Sequence, residues 1–305
     1  MLKKFAYGLL GLLVLLVIVV LIVLIPPHQQ IRNFNSAIPS FEQLSHALTS
    51  GSGPAAISYI TTASQKNGSK TLGHAGILLE WPDGRSFLID AGMDRETAVA
   101  FGAPFESLLG SDPSITFGPI EEQLGSQINQ INGVAFTHLH SDHTAGITAI
   151  CDAMLAPATI FQTNDQAKNH NAFTEAGQNI INDSSCNSSL LSTDVIKPVP
   201  GFDGLVAIAA GGHTPGSTIF ATKLNNRIWV FAGDITNDMD QLTHNKGKGF
   251  LYSYLLIPED TERLEQLRLW LADIDNSSVA SVLVAHDWDA MQSSEIPAWR
   301  PGGGR

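Results

Sequence analysis

Within six residues, His138-Leu139-His140-Ser141-Asp142-His143, the chain offers four side chains able to bind a divalent cation. In an extended stretch His138 and His140 project to the same side and can share one ion. A turn into the helix that follows would aim Asp142 and His143 at a second. Neutral imidazoles and carboxylates suit zinc and neighbouring divalent ions, and hydrolytic chemistry needs a coordination position left open for water. Residues of the same types recur downstream, each where a predicted strand ends. His213 follows a strand at Leu205–Ala209, Asp234 follows Arg227–Phe231, and His286 follows residues 279–284. Loops at one edge of a layered sheet converge on one place, so positions about 150 residues apart can meet there.

The elements that must position these groups read as follows. Residues 57–62, 75–81 and Ser86–Ile89 form a meander of strands, with Pro82-Asp83-Gly84 turning between the last two. Helical spacing covers 119–131, with Glu121 and Glu122 in its first turn. A short buried strand at 134–136 leads to the histidine cluster, and a helix at 145–154 follows it. Thr159–Gln162 and 217–222 are further strands, and 258–271 is a charged amphipathic helix. Strands interleaved with helices predict a layered α/β architecture.

In this order the motifs resemble a family, the metallo-β-lactamase superfamily of metallohydrolases, over roughly residues 56–290. They are Phe87-Leu-Ile-Asp90-Ala-Gly, Thr137-His-Leu-His-Ser-Asp-His-Thr-Ala-Gly146, Gly211-Gly-His213-Thr-Pro-Gly216, Phe231-Ala-Gly-Asp234 and Val284-Ala-His286-Asp. The resemblance implies an αββα sandwich. It implies His138, His140 and His213 as ligands of one metal, Asp142, His143 and His286 as ligands of a second, and Asp234 as the bridging carboxylate. Asp90 would orient the ligand loop without touching metal. The implied cofactors are two divalent ions, zinc foremost, with Mn2+, Fe2+ or Co2+ as alternatives. A hydroxide shared between them, its pKa lowered towards about 7, would attack an acyl carbonyl. Asp142 would both ligate and handle the proton.

Substrate class is less legible. Position 234 is an aspartate followed by Ile235, with no cysteine nearby, and this is closer to lactonases and thioester hydrolases than to one branch of β-lactamases. His213-Thr-Pro-Gly-Ser and Ala285-His-Asp287 are similar to N-acyl homoserine lactonases. Those enzymes carry a tyrosine shortly after the bridging aspartate, and Ile235-Thr236-Asn237-Asp238 supplies none. The expected reaction is hydrolysis of a small ester, lactone or thioester. A β-lactam hydrolase and a non-catalytic metal-binding module are the alternatives.

The context is a membrane. Residues 5–25 contain no charge and would span roughly 31 Å as a helix, the thickness of a bilayer's hydrocarbon core. Lys3 and Lys4 precede the run and Pro26-Pro27 follows it. The positive-inside tendency then keeps the amino terminus cytoplasmic and the rest outside. A cleaved signal peptide, which would leave the protein secreted, fits less well because no small-x-small cleavage site follows. The expected organisation is an anchor at 1–27, a polar linker at 28–55, a hydrolase domain at 56–296 and a flexible tail at 297–305. The formal net charge is −12, and the first acidic residue is Glu42, so all twenty-nine acidic side chains fall after the anchor. Such a surface repels phosphate backbones, which excludes nucleic acid as substrate. A small molecule is expected instead, with no protein partner. Cys151 and Cys186 are open to two readings: a disulfide closing a loop of about 35 residues, or two buried thiols.

Three other positions invite a reading. His74 is expected as a satisfied structural histidine, with contact near the metal ligands as the alternative. His170, in an Asn/Gln-rich stretch, is expected in solvent. The long segment 235–254 has the character of a lid. Its Lys246 and Lys248 are read as solvated lysines, or else as partners for a substrate carboxylate.

Overall fold

The opening strands run further than their apolar cores suggest, because polar residues continue the ladder. A computed structural model describes residues 2–300 apart from Leu24, Asn33, Asn35, Ser50 and Ala172. In it β1 (Ala56–Asn67) and β2 (Lys70–Glu80) form a long hairpin closed by Gly68-Ser69. Next come β3 (Ser86–Ile89), β4 (Ile115–Thr116), β5 (Ile131–Ala135), β6 (Thr159–Gln162) and β7 (Asn187–Leu190). These seven form one sheet in the order β4-β1-β2-β3-β5-β6-β7, parallel from β3 through β7. A second sheet holds β8 (Ile196–Pro198), β9 (Leu205–Ala209), β10 (Thr218–Leu224), β11 (Arg227–Phe231) and β12 (Ala280–Leu283), in the order β12-β11-β10-β9-β8.

Three apolar clusters define the layers. One lies between the sheets and joins Phe87 and Phe161 of the first to Phe220, Trp229 and Phe231 of the second. Another covers the outer face of the second sheet with Leu264, Leu267, Leu271 and Ile274 of the helix Thr261–Asp275. The third covers the outer face of the first sheet with Ile120, Ile147, Ile150 and Ile181 from three short helices. Helices, sheet, sheet, helices is the expected αββα order. Strands β3 and β9 are buried along their whole length, as strands packed on both faces must be.

Several boundaries differ from expectation. The helix predicted over 119–131 stops at Leu124, where Gly125 takes φ 53°, and the chain continues as a 3-10 turn into β5. The helix predicted at 145–154 is two pieces, Ser141–Thr144 and Ile147–Ala153, so it starts inside the histidine cluster. Its second piece carries Cys151, which is disulfide-bonded to Cys186 at the entrance to β7.

The segment expected as a polar linker is folded onto the domain. Ser40 and Gln43 form a reciprocal capping box that starts the helix Phe41–Ala47, whose Leu44 is fully buried against the second sheet with Leu48 beside it. Upstream, the helix Ile25–Arg32 buries Ile31 completely. The apolar residues spaced through this polar stretch have somewhere to go, which its composition alone did not show. At the other end, residues 301–305 lie outside the described residues. The tail expected from 297 is held at its start: Tyr59 donates to the Pro297 carbonyl at 3.1 Å and accepts from the Trp299 amide at 2.8 Å.

Candidate metal centre

The seven predicted ligands converge from both sheets. His138, His140, Asp142 and His143 follow β5, His213 follows β9, Asp234 follows β11 and His286 follows β12. The two sheets are pinned together at this edge, since the Thr218 amide of β10 donates to the Thr137 carbonyl at 2.7 Å. His138, His140 and His213 present ring nitrogens within 4.8 Å of one another, and the ring nitrogens of His143 and His286 and a carboxylate oxygen of Asp234 are grouped equally closely. Asp142 joins His138 and His143 in one such group, and His74 and His286 in another. Asp234 stands between the sets. Its Oδ2 lies 3.6 Å from His213 Nε2 and 3.1 Å from His286 Nε2, and its Oδ1 lies 3.6 Å from His143 Nε2. Of the seven, six are buried and His140 is partly exposed.

Outer partners turn the imidazoles. Asp90 accepts from the Thr137 amide at 2.7 Å and hydroxyl at 2.8 Å, and from His143 Nδ1 at 2.9 Å. Three hydrogen bonds offset the cost of its left-handed backbone, φ 64°, which is of order 1 kcal/mol or more for a residue other than glycine. His286 Nδ1 is 2.9 Å from the Gly73 carbonyl of β2. His213 Nδ1 is 2.6 Å from Glu259 Oε1. With each Nδ1 turned to its acceptor, the three Nε2 atoms face inward, where a neutral ring would offer its lone pair to a cation.

Electrostatics favour a charge pattern that a cation would use. Burial works against ionising Asp142, but His143 and its hydrogen bonds hold the carboxyl well below the usual range. Burial likewise opposes the charge on Asp234, and His286 and His138 overcome it. Burial, reinforced by neighbouring imidazoles, lowers His138 far below an ordinary histidine and brings His140 to about 3. His143 and His286 go the other way. Burial again opposes their charge, but Asp142 and Asp90 raise the first, and Asp234 the second.

The residues fit divalent cations. His143 Nε2 and Asp234 Oδ1 are buried without a hydrogen-bond partner, an arrangement that is costly unless something electropositive satisfies them. Two trios of donors with an ionised carboxylate between them supply nitrogen and oxygen in the proportions zinc accepts.

Four residues were read differently from the sequence. His74 belongs to the site, its Nδ1 lying 3.3 Å from Asp142 Oδ2 and its ring edge-on to His286. Lys248 is not a solvated lysine. Its Nζ donates to the Asp234 carbonyl at 2.7 Å and lies 3.1 Å from Glu259 Oε1, with the side chain 1% exposed. It therefore neutralises a buried carboxylate and is not free to hold a substrate's. Lys246 matches the solvated reading and pairs with exposed Asp240. His170 is half-buried, its Nε2 3.0 Å from the Ala167 carbonyl. Glu259 was overlooked as a site residue. An acid at the head of a predicted helix reads as a solvated helix-terminal charge, yet here it is wholly buried and pulled down to about 2, against burial, by Lys248 and His213.

The metallo-β-lactamase superfamily model matches residues 72–286, more than half the chain and inclusive of every candidate ligand. The chain belongs to the metallo-β-lactamase superfamily. Membership bears out both the resemblance read from the motifs and the reading as a metal-dependent hydrolase. No curated protein sequence matches the chain. Among solved structures it is similar to an N-acyl homoserine lactone hydrolase holding the product N-hexanoyl-L-homoserine at its catalytic metal centre. The TM-score is 0.59 at 15% identity, covering 80% of this chain and 98% of that one. A variant of the B. thuringiensis AiiA protein with N-decanoyl-L-homoserine bound gives 0.60 at 15% identity, with coverage of 80% and 98%. A probable metal-dependent hydrolase from Staphylococcus aureus gives 0.53 at 17% identity, with coverage of 78% and 91%. At these identities the likeness is one of fold.

Proposed function

We propose that this superfamily member is a membrane-anchored hydrolase using two divalent cations, zinc foremost, on a small ester, lactone or thioester. The observation that carries the reading is the position of Asp234, with oxygens facing His213 on one side and His143 and His286 on the other. His138, His140 and His213 would hold one cation and Asp142, His143 and His286 the other. Bound there, such cations supply an acidified water near neutral pH and a Lewis acid for an acyl carbonyl.

The chain's own residues do the rest. Asp142 is ionised and touches three imidazoles at 3.3–3.4 Å, so it can take a proton from a nucleophilic water and return it to the leaving oxygen or sulfur. His74 orients that carboxylate from the β2 side. Glu259 and Lys248 fix His213 and close the back of the site to water. The β-lactam alternative looked to Lys246 or Lys248 for an anionic substrate; the Lys248 ammonium is already committed to Glu259, and Lys246 pairs with Asp240 at the surface.

Support for the anchor is the helix Leu2–Val23, continued by Ile25–Arg32. Its most apolar stretch has a mean hydropathy of 3.6, and none of the stretch is buried in the protein. With Lys3 and Lys4 on the cytoplasmic side, the catalytic domain would lie outside the cytoplasm. The test takes the full chain through elemental analysis and a substrate panel of p-nitrophenyl esters, homoserine lactones, a thioester, a chromogenic cephalosporin and a phosphodiester. Two metals per chain with turnover confined to the acyl substrates is the expected result. One metal, or turnover undiminished after chelation, would refute it.

A further inference from the structure

The segment after Asp234 has two faces with opposite characters. Its inner face carries Lys248 and Ser253, the latter donating to Glu259 Oε2 at 2.6 Å. Its outer face, on a π-helical turn at Leu251–Leu256, carries Phe250, Leu251, Leu255 and Leu256, which are 68%, 67%, 49% and 62% exposed. Four large apolar side chains side by side in water mark a surface that something covers.

What covers them is indicated by the segment packed beside them. His28 stacks on Tyr254 of this turn at 5.4 Å, and its Nε2 lies 3.2 Å from the Tyr254 carbonyl. His28 belongs to the helix Ile25–Arg32 that continues the apolar span, five residues beyond Val23. Five residues of helix rise about 8 Å, comparable to the headgroup depth on one side of a bilayer. Gln30 donates to the His170 carbonyl at 2.6 Å, which ties the same stem to the loop bearing Phe173. Phe173 is 43% exposed, with its ring 6.3 Å from that of His140, the one ligand open to the surface. Stem, apolar turn and the open side of the site therefore lie together.

We propose that the turn Leu251–Leu256 rests in the bilayer interface and that the substrate is an acyl-chain amphiphile entering from the membrane past Phe173 to His140. This rests on the anchored-hydrolase reading above. Hydrolysis adds water across the acyl bond and returns a carboxylic acid and an alcohol or thiol, with no other reactant.

The experiment uses the full chain in phosphatidylcholine–phosphatidylglycerol vesicles. Leu255→Trp is compared with Val279→Trp, whose side chain is equally exposed but precedes β12, at the end of that strand away from His286. Brominated lipid should quench the added fluorescence of the first at least threefold more than that of the second. Equal quenching in a chain that floats with the vesicles overturns the proposal and leaves the anchor standing. A chain that does not float sinks the anchor and the proposal together. A Leu255 shielded from lipid in a dimer also overturns it. Replacing Leu251, Leu255 and Leu256 by serine should leave turnover of a water-soluble acetyl ester within twofold. Turnover of a dodecanoyl ester dissolved in the vesicles should fall at least tenfold. An equal change on both substrates refutes membrane delivery.

Discussion

At the scale of single residues, the site separates into groups that hold and groups that move a proton. On the proposed mechanism Asp142 would do both, so Asp142→Asn keeps an oxygen donor while removing the base. We expect kcat to fall about a thousandfold with metal content nearly intact, measured by steady-state kinetics beside elemental analysis. Glu259 illustrates a purely supporting role with a pH signature. Its carboxyl is lowered from an ordinary 4.5 to about 2, so the stability it contributes is full above pH 4.5 and lost as pH falls through about 2. That shift corresponds to about 3 kcal/mol. Urea titrations of metal-free wild type and Glu259→Gln should differ by about that much at pH 7, and the gap should close between pH 4.5 and 2. A gap unchanged with pH would mean that the pairing with Lys248 and His213 is not its source.

At the scale of elements, the close fit of the stem to the His213 loop makes its own prediction. Gly211 takes φ 66°, and a Cβ there would lie 2.5 Å from the ring of Phe34. Gly211→Ala should therefore cost about 2 kcal/mol by denaturant unfolding, from backbone strain plus displacement of Phe34. Most of the ligand-bearing architecture was legible because its strands are short apolar runs ending at His or Asp. Thr159–Gln162, Leu205–Ala209 and Arg227–Phe231 begin and end where their hydrophobic runs do. The edge strands β4, β7 and β8 carry no such run and were not foreseen. The docking of residues 28–48 was hidden for a related reason. Ile31, Phe34, Leu44 and Leu48 are too widely spaced to form a periodic face; Leu44 and Leu48 are gathered by the second sheet, Phe34 lies against Gly211, and Ile31 is fully buried. Glu259 and Lys248 were missed on the same physical ground: their burial is created by residues distant in sequence. His74 was visible but ambiguous, since one histidine entering a strand says nothing about what stands opposite.

At the scale of the molecule, the buried carboxylates and unpartnered nitrogens make folding and metal loading one problem. Stripping metal with EDTA should lower the melting temperature by about 10 °C, given about 4 kcal/mol of linkage at metal concentrations a thousandfold above Kd. Loading should also release protons. His143 and His286 are raised above the ordinary imidazole value in the metal-free protein and must be neutral to ligate. Calorimetry in buffers of different ionisation enthalpy at pH 6.5 should detect at least one proton released per chain, and metal affinity should weaken as pH falls. Loading without proton release would contradict the protonated resting state.

The bond between Cys151 and Cys186 ties the helix that follows the histidine cluster to the strand at the sheet's far edge. Closing that loop is worth about 3–4 kcal/mol in the chain-entropy model. On the proposed topology it forms only after the domain has crossed into an oxidising space. A copy stranded in the cytoplasm would lack that increment, spend more time open and be degraded first. The same two thiols that stiffen the finished enzyme would thus act as a proofreading mark for delivery, rewarding only chains that arrive.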